Sequence, residues 1–246
     1  MRYKITLSYN GSAFNGWQVQ PDAPSVQGAL EDALGRLTGS PVCVTGAGRT
    51  DTGVNARGYV AHFDASPELD CGQICYKLNA ILPRSVAVHS VEKAPDCFHA
   101  RFSATKREYT YFLNRMKDPF CQDLSYWYGY PDVDFDAMNR AAAYLRGRKD
   151  FSCFEKTGAD NKTSICTVYE ARWYKEDESH WYFRISADRF LRNMVRAIVG
   201  TLLEVGRGKR TPESVLQLLE SGNRGDAGES VPGYALFLTA IEYPDF

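Results

Sequence analysis

The sequence predicts an α+β fold of two split β-α-β halves in tandem, whose mostly antiparallel sheets join into one continuous mixed sheet around a central cleft. Three observations predict it. Strand-like alternation and helix-like periodicity follow one another in the order β-α-β-β-α-β over residues 2–93, and the same order recurs from residue 105 to 243. No Gly/Ser-rich or Pro-rich linker marks the junction near 103–106, so residues 1–104 and 105–246 read as halves that pack firmly.

The first strand, over 2–9, places Ile5, Leu7 and Tyr9 on one side and Lys4, Thr6 and Ser8 on the other. A helix after Pro24 carries Val26, Ala29, Leu30, Ala33, Leu34 and Leu37 on one face, with Ser25 as N-cap and Gly39 just past its end. A short strand at 42–45 leads into a glycine-rich loop, and a strand at 59–65 leaves it. A second helix from Gly72 to Leu82 stops at Pro83, and a strand at 86–93 closes the first half. In the second half a strand at 105–114 precedes a helix at 134–146. Two alternating strands follow at 163–175 and 180–187, then an apolar helix at 189–205, a helix at 212–221 and a last strand at 235–243.

Composition excludes some functions. The chain is 44% hydrophobic and 24% charged, an ordinary globular balance, and no run approaches the roughly 18 apolar residues of a membrane helix. The strand pattern starts at Arg2 with no apolar stretch before it, so the expected location is the cytoplasm. Seven scattered cysteines read as reduced structural thiols. The four histidines form no ligand pattern, so no metal site is expected. Net charge is only −1, yet residues 99–117 carry +4 and residues 184–210 carry +5. A near-neutral protein with its positive charge in two segments fits a cleft for a polyanion, or else two solvated basic faces.

The richest segment is Gly46-Ala47-Gly48-Arg49-Thr50-Asp51-Thr52-Gly53-Val54-Asn55-Ala56-Arg57-Gly58, which joins two strands. Its single carboxylate, Asp51, has Arg49 two positions before it and Arg57 six after. A carboxylate near a guanidinium stays ionised and is aimed by it, and held near a sugar it serves as nucleophile or stabiliser at an anomeric carbon. The plainer alternative is a β-turn in which Asp51 bonds loop amides. Neither this loop nor Gly206-Arg207-Gly208-Lys209-Arg210-Thr211 is a dinucleotide or Walker A sequence.

Gly-Ala-Gly-Arg-Thr-Asp-x-Gly-Val resembles the active-site motif of the bacterial tRNA pseudouridine synthase A family. Further blocks resemble that family in the same order: Gly16-Trp17-Gln18-x-Gln20, Val26-Gln27, Asn79-x-x-Leu82-Pro83, Phe98-His99-Ala100-Arg101 and Asp150-Phe151-x-x-Phe154. So do Phe190-Leu191-x-Asn193-Met194-Val195-Arg196-x-Ile198-Val199-Gly200 and Val205-Gly206-x-Gly208-Lys209. Three positions depart from the pattern: Asn55 stands where His is usual, Asn10 where Asp is common, and Ala235 where Gly usually precedes the final Leu-x-Leu.

The resemblance implies the pseudouridine synthase fold and an isomerase that turns uridine into pseudouridine in the anticodon stem-loop of tRNA, at positions 38–40. It implies Asp51 as the catalytic nucleophile, Arg49 as an arginine that helps extrude the base, and Tyr109 as the ring that stacks on the flipped base and handles the C5 proton. Arg196 is implied as the partner of Asp51; on sequence alone it is a charge inside an apolar helix, which needs an anion beside it. Arg101, Lys106, Arg107, Arg189, Arg192, Lys209 and Arg210 are candidate phosphate contacts, with Trp17 an exposed ring for stacking. No cofactor is implied, since reactant and product are isomers. A homodimer whose tRNA touches both subunits is.

Two rivals remain on sequence. One is a pair of non-catalytic RNA-recognition modules, since Arg57-Gly58-Tyr59 begins like an RNP1 octet; Val60, Ala61, His62 and Asp64 then break it. The other is a hydrolytic glycosidase, which needs a second carboxylate; Asp64 is the next along the chain.

Overall fold

The computed structural model describes residues 1–66, 68–158 and 162–245. The chain forms two compact units: Met1–Thr105 together with the chain from Phe237 onward, and Lys106–Leu236. Sheets are mostly antiparallel, and five α-helices lie among the described residues.

In the first unit, β1 (Arg2–Tyr9) alternates as its pattern predicts, with Tyr3, Ile5, Leu7 and Tyr9 buried. Helix α1 (Val26–Thr38) starts on a Ser25 side chain that accepts the Gly28 amide, and stops at Gly39 with φ 73°. Its buried face is Val26, Leu30, Ala33 and Leu34. Full burial of a Val or Leu side chain contributes roughly 2 kcal/mol. The hairpin of β2 (Val44–Gly46) and β3 (Asn55–Asp64) pairs Gly46 with Ala61. Helix α2 (Cys71–Ile81), N-capped by Asp70, leads to β4 (Val86–Ala94). The sheet order β4–β1–β3 with β2 outside β3 is the arrangement of a split β-α-β unit.

The second unit opens with β5 (Lys106–Asn114) and a two-residue β6 (Tyr126–Trp127) parallel to its end. Helix α3 (Phe135–Ala143) and β7 (Gly147–Asp150) follow, then the hairpin of β8 (Ile165–Lys175) and β9 (His180–Ala187). Next come α4 (Met194–Gly206) and α5 (Ser214–Ser221). The strands run β5–β9–β8–β7, all antiparallel. Helix α4 is apolar almost all round and forms this unit's core. No helix among the described residues is long and apolar enough to cross a membrane. All seven cysteines are free thiols.

Three expectations need correction. The sequence order assigns the last strand, β10 (Leu236–Glu242), to the second half; from Phe237 it belongs to the first unit, where Phe237 and Leu238 pair with Asn55 and Ala56. The apolar helix does not begin at 189: Asn193 sits at φ 67°, and the Asp188 carboxylate accepts the Thr167 and Arg189 amides, holding 188–193 as a turn. Helix α3 ends at Ala143, short of 146, with Tyr144 as its C-cap.

The second face of β3 is covered as well. Val60 clusters with Phe98 and Ala100, and Ala94, Ile241 and Tyr243 pack against them. Arg2 ties the layer down, donating to both Asp64 carboxylate oxygens at 3.0 and 2.8 Å and to the Asp96 and Phe98 carbonyls. His62 lies in this layer at 5% exposure, and its Nδ1 accepts the Ala100 amide at 3.1 Å. A proton on that nitrogen would break the bond. Burial, reinforced by the charges of Arg2 and His99, pushes the His62 pKa from 6.5 down to about 4.

Between those pH values the unfolded chain binds a proton that the folded protein excludes, so this contribution is full above pH ~6.5 and is lost as pH falls toward 4, by up to about 3 kcal/mol. Urea unfolding of His62→Gln is expected to show a shallower fall in stability from pH 7 to 4 than the parent. An identical slope would assign the effect to other groups.

Candidate active site

The loop from Ala47 to Val54 stands on a floor of three buried rings. Trp17 stacks on Tyr59 with centroids 4.0 Å apart and planes at 25°, and Tyr9 tilts against Tyr59 at 5.6 Å. Their polar ends reach up to the loop. The Tyr59 hydroxyl donates to the Gly48 carbonyl, and the Tyr9 hydroxyl bonds Thr50 Oγ1 at 2.9 Å. Trp17 is therefore not the exposed stacking ring read from sequence; it is 3% exposed. Tyr59 is fully buried too, so the aromatic of Arg57-Gly58-Tyr59 is unable to stack on RNA as an RNP1 ring would.

The backbone around Asp51 is held from two directions. The Trp17 amide donates to the Thr50 carbonyl at 3.3 Å, and the Val54 amide to the Asp51 carbonyl at 3.1 Å, closing a β-turn with Gly53 at φ 77°. One turn further, buried Asn55 accepts the Gly11 amide at 2.8 Å. Asn55 thus joins the start of β3 to the segment that follows β1. Asp51 itself is half-buried, between exposed Arg49 and exposed Thr52. The main chain on both sides of the carboxylate is thus anchored. Arg57 has its guanidinium 5.2 Å above the Phe237 ring.

Asp64, the second carboxylate a glycosidase would need, is gripped by Arg2. That fork of hydrogen bonds holds its carboxyl below the usual range, the wrong direction for a general acid. Near the end of this unit Arg101 is exposed, with its guanidinium 5.5 Å over the ring of Phe102, itself 75% exposed. The Arg101 and Phe102 amides both donate to His99 Nδ1. A planar cation beside an open ring suits a nucleic-acid base. Sequence reasoning passed over Phe102, because exposure of a lone aromatic has no sequence signature.

In the second unit Tyr109 lies on β5, half-buried, with Phe190 packed edge-on at 5.1 Å and 88°. Arg107 donates to the Asp188 carbonyl at 2.9 Å and so braces the turn that carries Arg189 and Phe190. Arg189 is half-buried. Two residues along β5 from Tyr109, on the same face, Tyr111 is fully buried, and burial drives its hydroxyl pKa well up; the charge of Arg196 acts in the opposite direction. Arg196 is half-buried and donates from Nε to the Val231 carbonyl at 2.7 Å, which fixes its plane. Arg184 and Arg210, both counted in the basic segment, pair with Glu170 and Glu204. Arg210 is thereby a weaker candidate for phosphate than exposed Arg192 or Lys209.

Comparison with known proteins identifies the family. A family model described as tRNA pseudouridine synthase matches residues 5–103 and 141–244. The chain is 48% identical over 244 residues to a Bacteroides fragilis protein named tRNA pseudouridine synthase A, covering 99% of this chain and 96% of that one. It is 48% identical to the protein of that name from Parabacteroides distasonis, covering 99% and 96%. The Bacillus subtilis protein of the same name is 42% identical over 247 residues, with 99% of each chain covered.

Proposed function

The chain belongs to the tRNA pseudouridine synthase family, a family of isomerases, and from that premise we propose that it forms pseudouridine at positions 38–40 of the tRNA anticodon stem-loop with Asp51 as its nucleophile. The observation that carries this reading is the construction of the Asp51 loop. Buried tyrosines and backbone bonds fix the main chain on both sides of a carboxylate that remains half-exposed.

The reaction breaks the C1′–N1 bond of uridine, turns the base, and joins C1′ to C5; the C5 proton leaves and N1 gains one. Atoms and electrons balance without a cofactor. Addition of Asp51 to C1′, addition to the base, and assistance of elimination toward a glycal all require an ionised oxygen placed beforehand against the flipped nucleotide. Tyr109, steadied by Phe190, is assigned to stack on the base and take part in proton transfer at C5. Arg196, with its plane set by Val231, is assigned to offset negative charge in the reaction, and Arg49 to hold the base out of the stem. Arg101, Arg107 and Arg189 remain assigned to the RNA, Arg107 through the turn that it braces. The expected working form is a cytoplasmic homodimer.

The test is to map pseudouridine in tRNA from cells lacking this protein, before and after the protein is restored. Loss and return of the modification at 38–40 is expected. Unchanged modification there would overturn the site assignment, and free uracil from tRNA treated with pure protein would overturn the reaction.

A further inference from the structure

We infer that Asp118, Cys121 and His180 form a binding site for a zinc-class divalent cation in the second unit. The three offer a carboxylate oxygen, a thiol sulfur and an imidazole nitrogen, all within 4.8 Å of one another. No spacing in the sequence announces the site, since His180 lies far along the chain from the Asp118-x-x-Cys121 turn. The fold brings them together. β5 ends at Asn114 opposite His180, where β9 begins, and the Arg115 amide donates to the Ser179 carbonyl at 2.7 Å. The chain leaving β5 therefore passes over the β8–β9 turn. The Asp118 carboxylate accepts the Phe120 amide at 2.8 Å, and the Cys121 amide donates to the Asp118 carbonyl at 3.2 Å, so both donors sit on one tight turn.

The histidine is prepared in the way of a metal ligand. Its Nδ1 lies 3.0 and 2.9 Å from the two Asp177 carboxylate oxygens. Asp177 is itself fixed by the Ser179 and His180 amides, each at 2.8 Å. A carboxylate on Nδ1 leaves Nε2 to carry the lone pair, and orients the ring. Nε2 faces Asp118, 3.4 Å from its Oδ2. Donors around a tetrahedral zinc are about 3.3–3.8 Å apart, so small side-chain rotations close the triad and leave a fourth position for water. The mixed sulfur, nitrogen and oxygen set selects zinc or cobalt over magnesium and calcium. With a metal bound, the 115–125 segment would be clipped to the β8–β9 turn. Without one, the same groups make an ordinary ion-paired histidine.

Titration of the full-length protein with Zn2+, and with Co2+ as a spectroscopic stand-in, separates these. One equivalent per chain is expected, with a thiolate-to-cobalt charge-transfer band and no competition from Mg2+. Cys121→Ser should remove the band, and Asp177→Asn should weaken binding roughly 10- to 100-fold. The Cys71→Ser, Cys75→Ser double variant should match the parent. Should Cys121→Ser fail to fold, alkylation of the parent protein decides: Zn2+ must protect Cys121 specifically. Binding that survives Cys121→Ser, an absence of binding, or alkylation of Cys121 unaffected by Zn2+ would each overturn the assignment.

Discussion

Asp51→Ala is expected to lower pseudouridine formation by roughly 10^4-fold or more, the scale seen when a lone nucleophile is removed, with folding and tRNA binding nearly unchanged. The two halves of this expectation have separate grounds. Loss of rate follows because no other carboxylate is supplied by the loop, and the nearest in sequence, Asp64, is bound up with Arg2. Retention of fold follows because neighbours hold the loop through other atoms: the Thr50 carbonyl and hydroxyl, the Gly48 carbonyl and the Asp51 carbonyl. Those bonds use main-chain atoms and other side chains, so removing the Asp51 carboxylate leaves them in place. Asp51→Asn keeps the shape and removes the charge, so it should be as inactive as the alanine variant. Tritium release from C5-labelled tRNA measures the rate, filter binding the affinity, and thermal unfolding the fold. Substantial turnover by Asp51→Ala would remove Asp51 from the chemistry.

The fold was most legible where the solvent boundary runs along an element. β1 is buried on every second residue, and α1 is bounded by Ser25 and Gly39, so periodicity and capping told both ends. It was least legible where backbone pairing alone makes the structure. β6 is two residues long, too short for any period, and β7 is Gly-Arg-Lys-Asp, largely exposed, and joined to β8 by main-chain bonds. The start of α4 shows a third kind of failure. Phe190 and Leu191 continue the helical period, but one left-handed residue, Asn193, separates them from the helix.

At the site, the glycine-rich loop and its carboxylate stood out because they break the surrounding periodicity. Their support did not. Tyr9, Trp17 and Tyr59 come from three separate segments, and nothing in the pattern of any one says that the three rings pack together and that two of them bond the Asp51 loop. Charge counting had a related weakness. It registers Arg184 and Arg210 at full value, while their neighbours Glu170 and Glu204 neutralise them in space. His180 likewise has no ligand pattern in sequence, because the residues facing it are set by strand register.

Gly16→Ala is expected to reduce kcat about 100-fold with little change in tRNA affinity. Gly16 has φ 93°, and a Cβ there would lie 2.4 Å from the Thr50 carbonyl oxygen and 3.2 Å from the Asp51 carbonyl carbon. Both are backbone atoms, so no side-chain rotation relieves the clash. Either the 16–17 segment or the Asp51 loop must move by about an ångström, and a displacement of that size costs roughly 10^2 in rate when it misplaces a reacting group. The left-handed conformation adds about 1–3 kcal/mol of strain, which should also lower the Tm by several degrees.

Gly39→Ala separates the two effects. Gly39 also has a positive φ, 73°, but a Cβ there meets nothing within 4 Å, and it ends α1 away from the loop. That variant should lose about 1 kcal/mol of stability and keep its kcat. If Gly16→Ala behaved the same way, the Trp17–Thr50 anchor would not be what positions Asp51. If only Gly16→Ala lost rate, the placement of the carboxylate, and not general stability, would be the quantity that glycine protects.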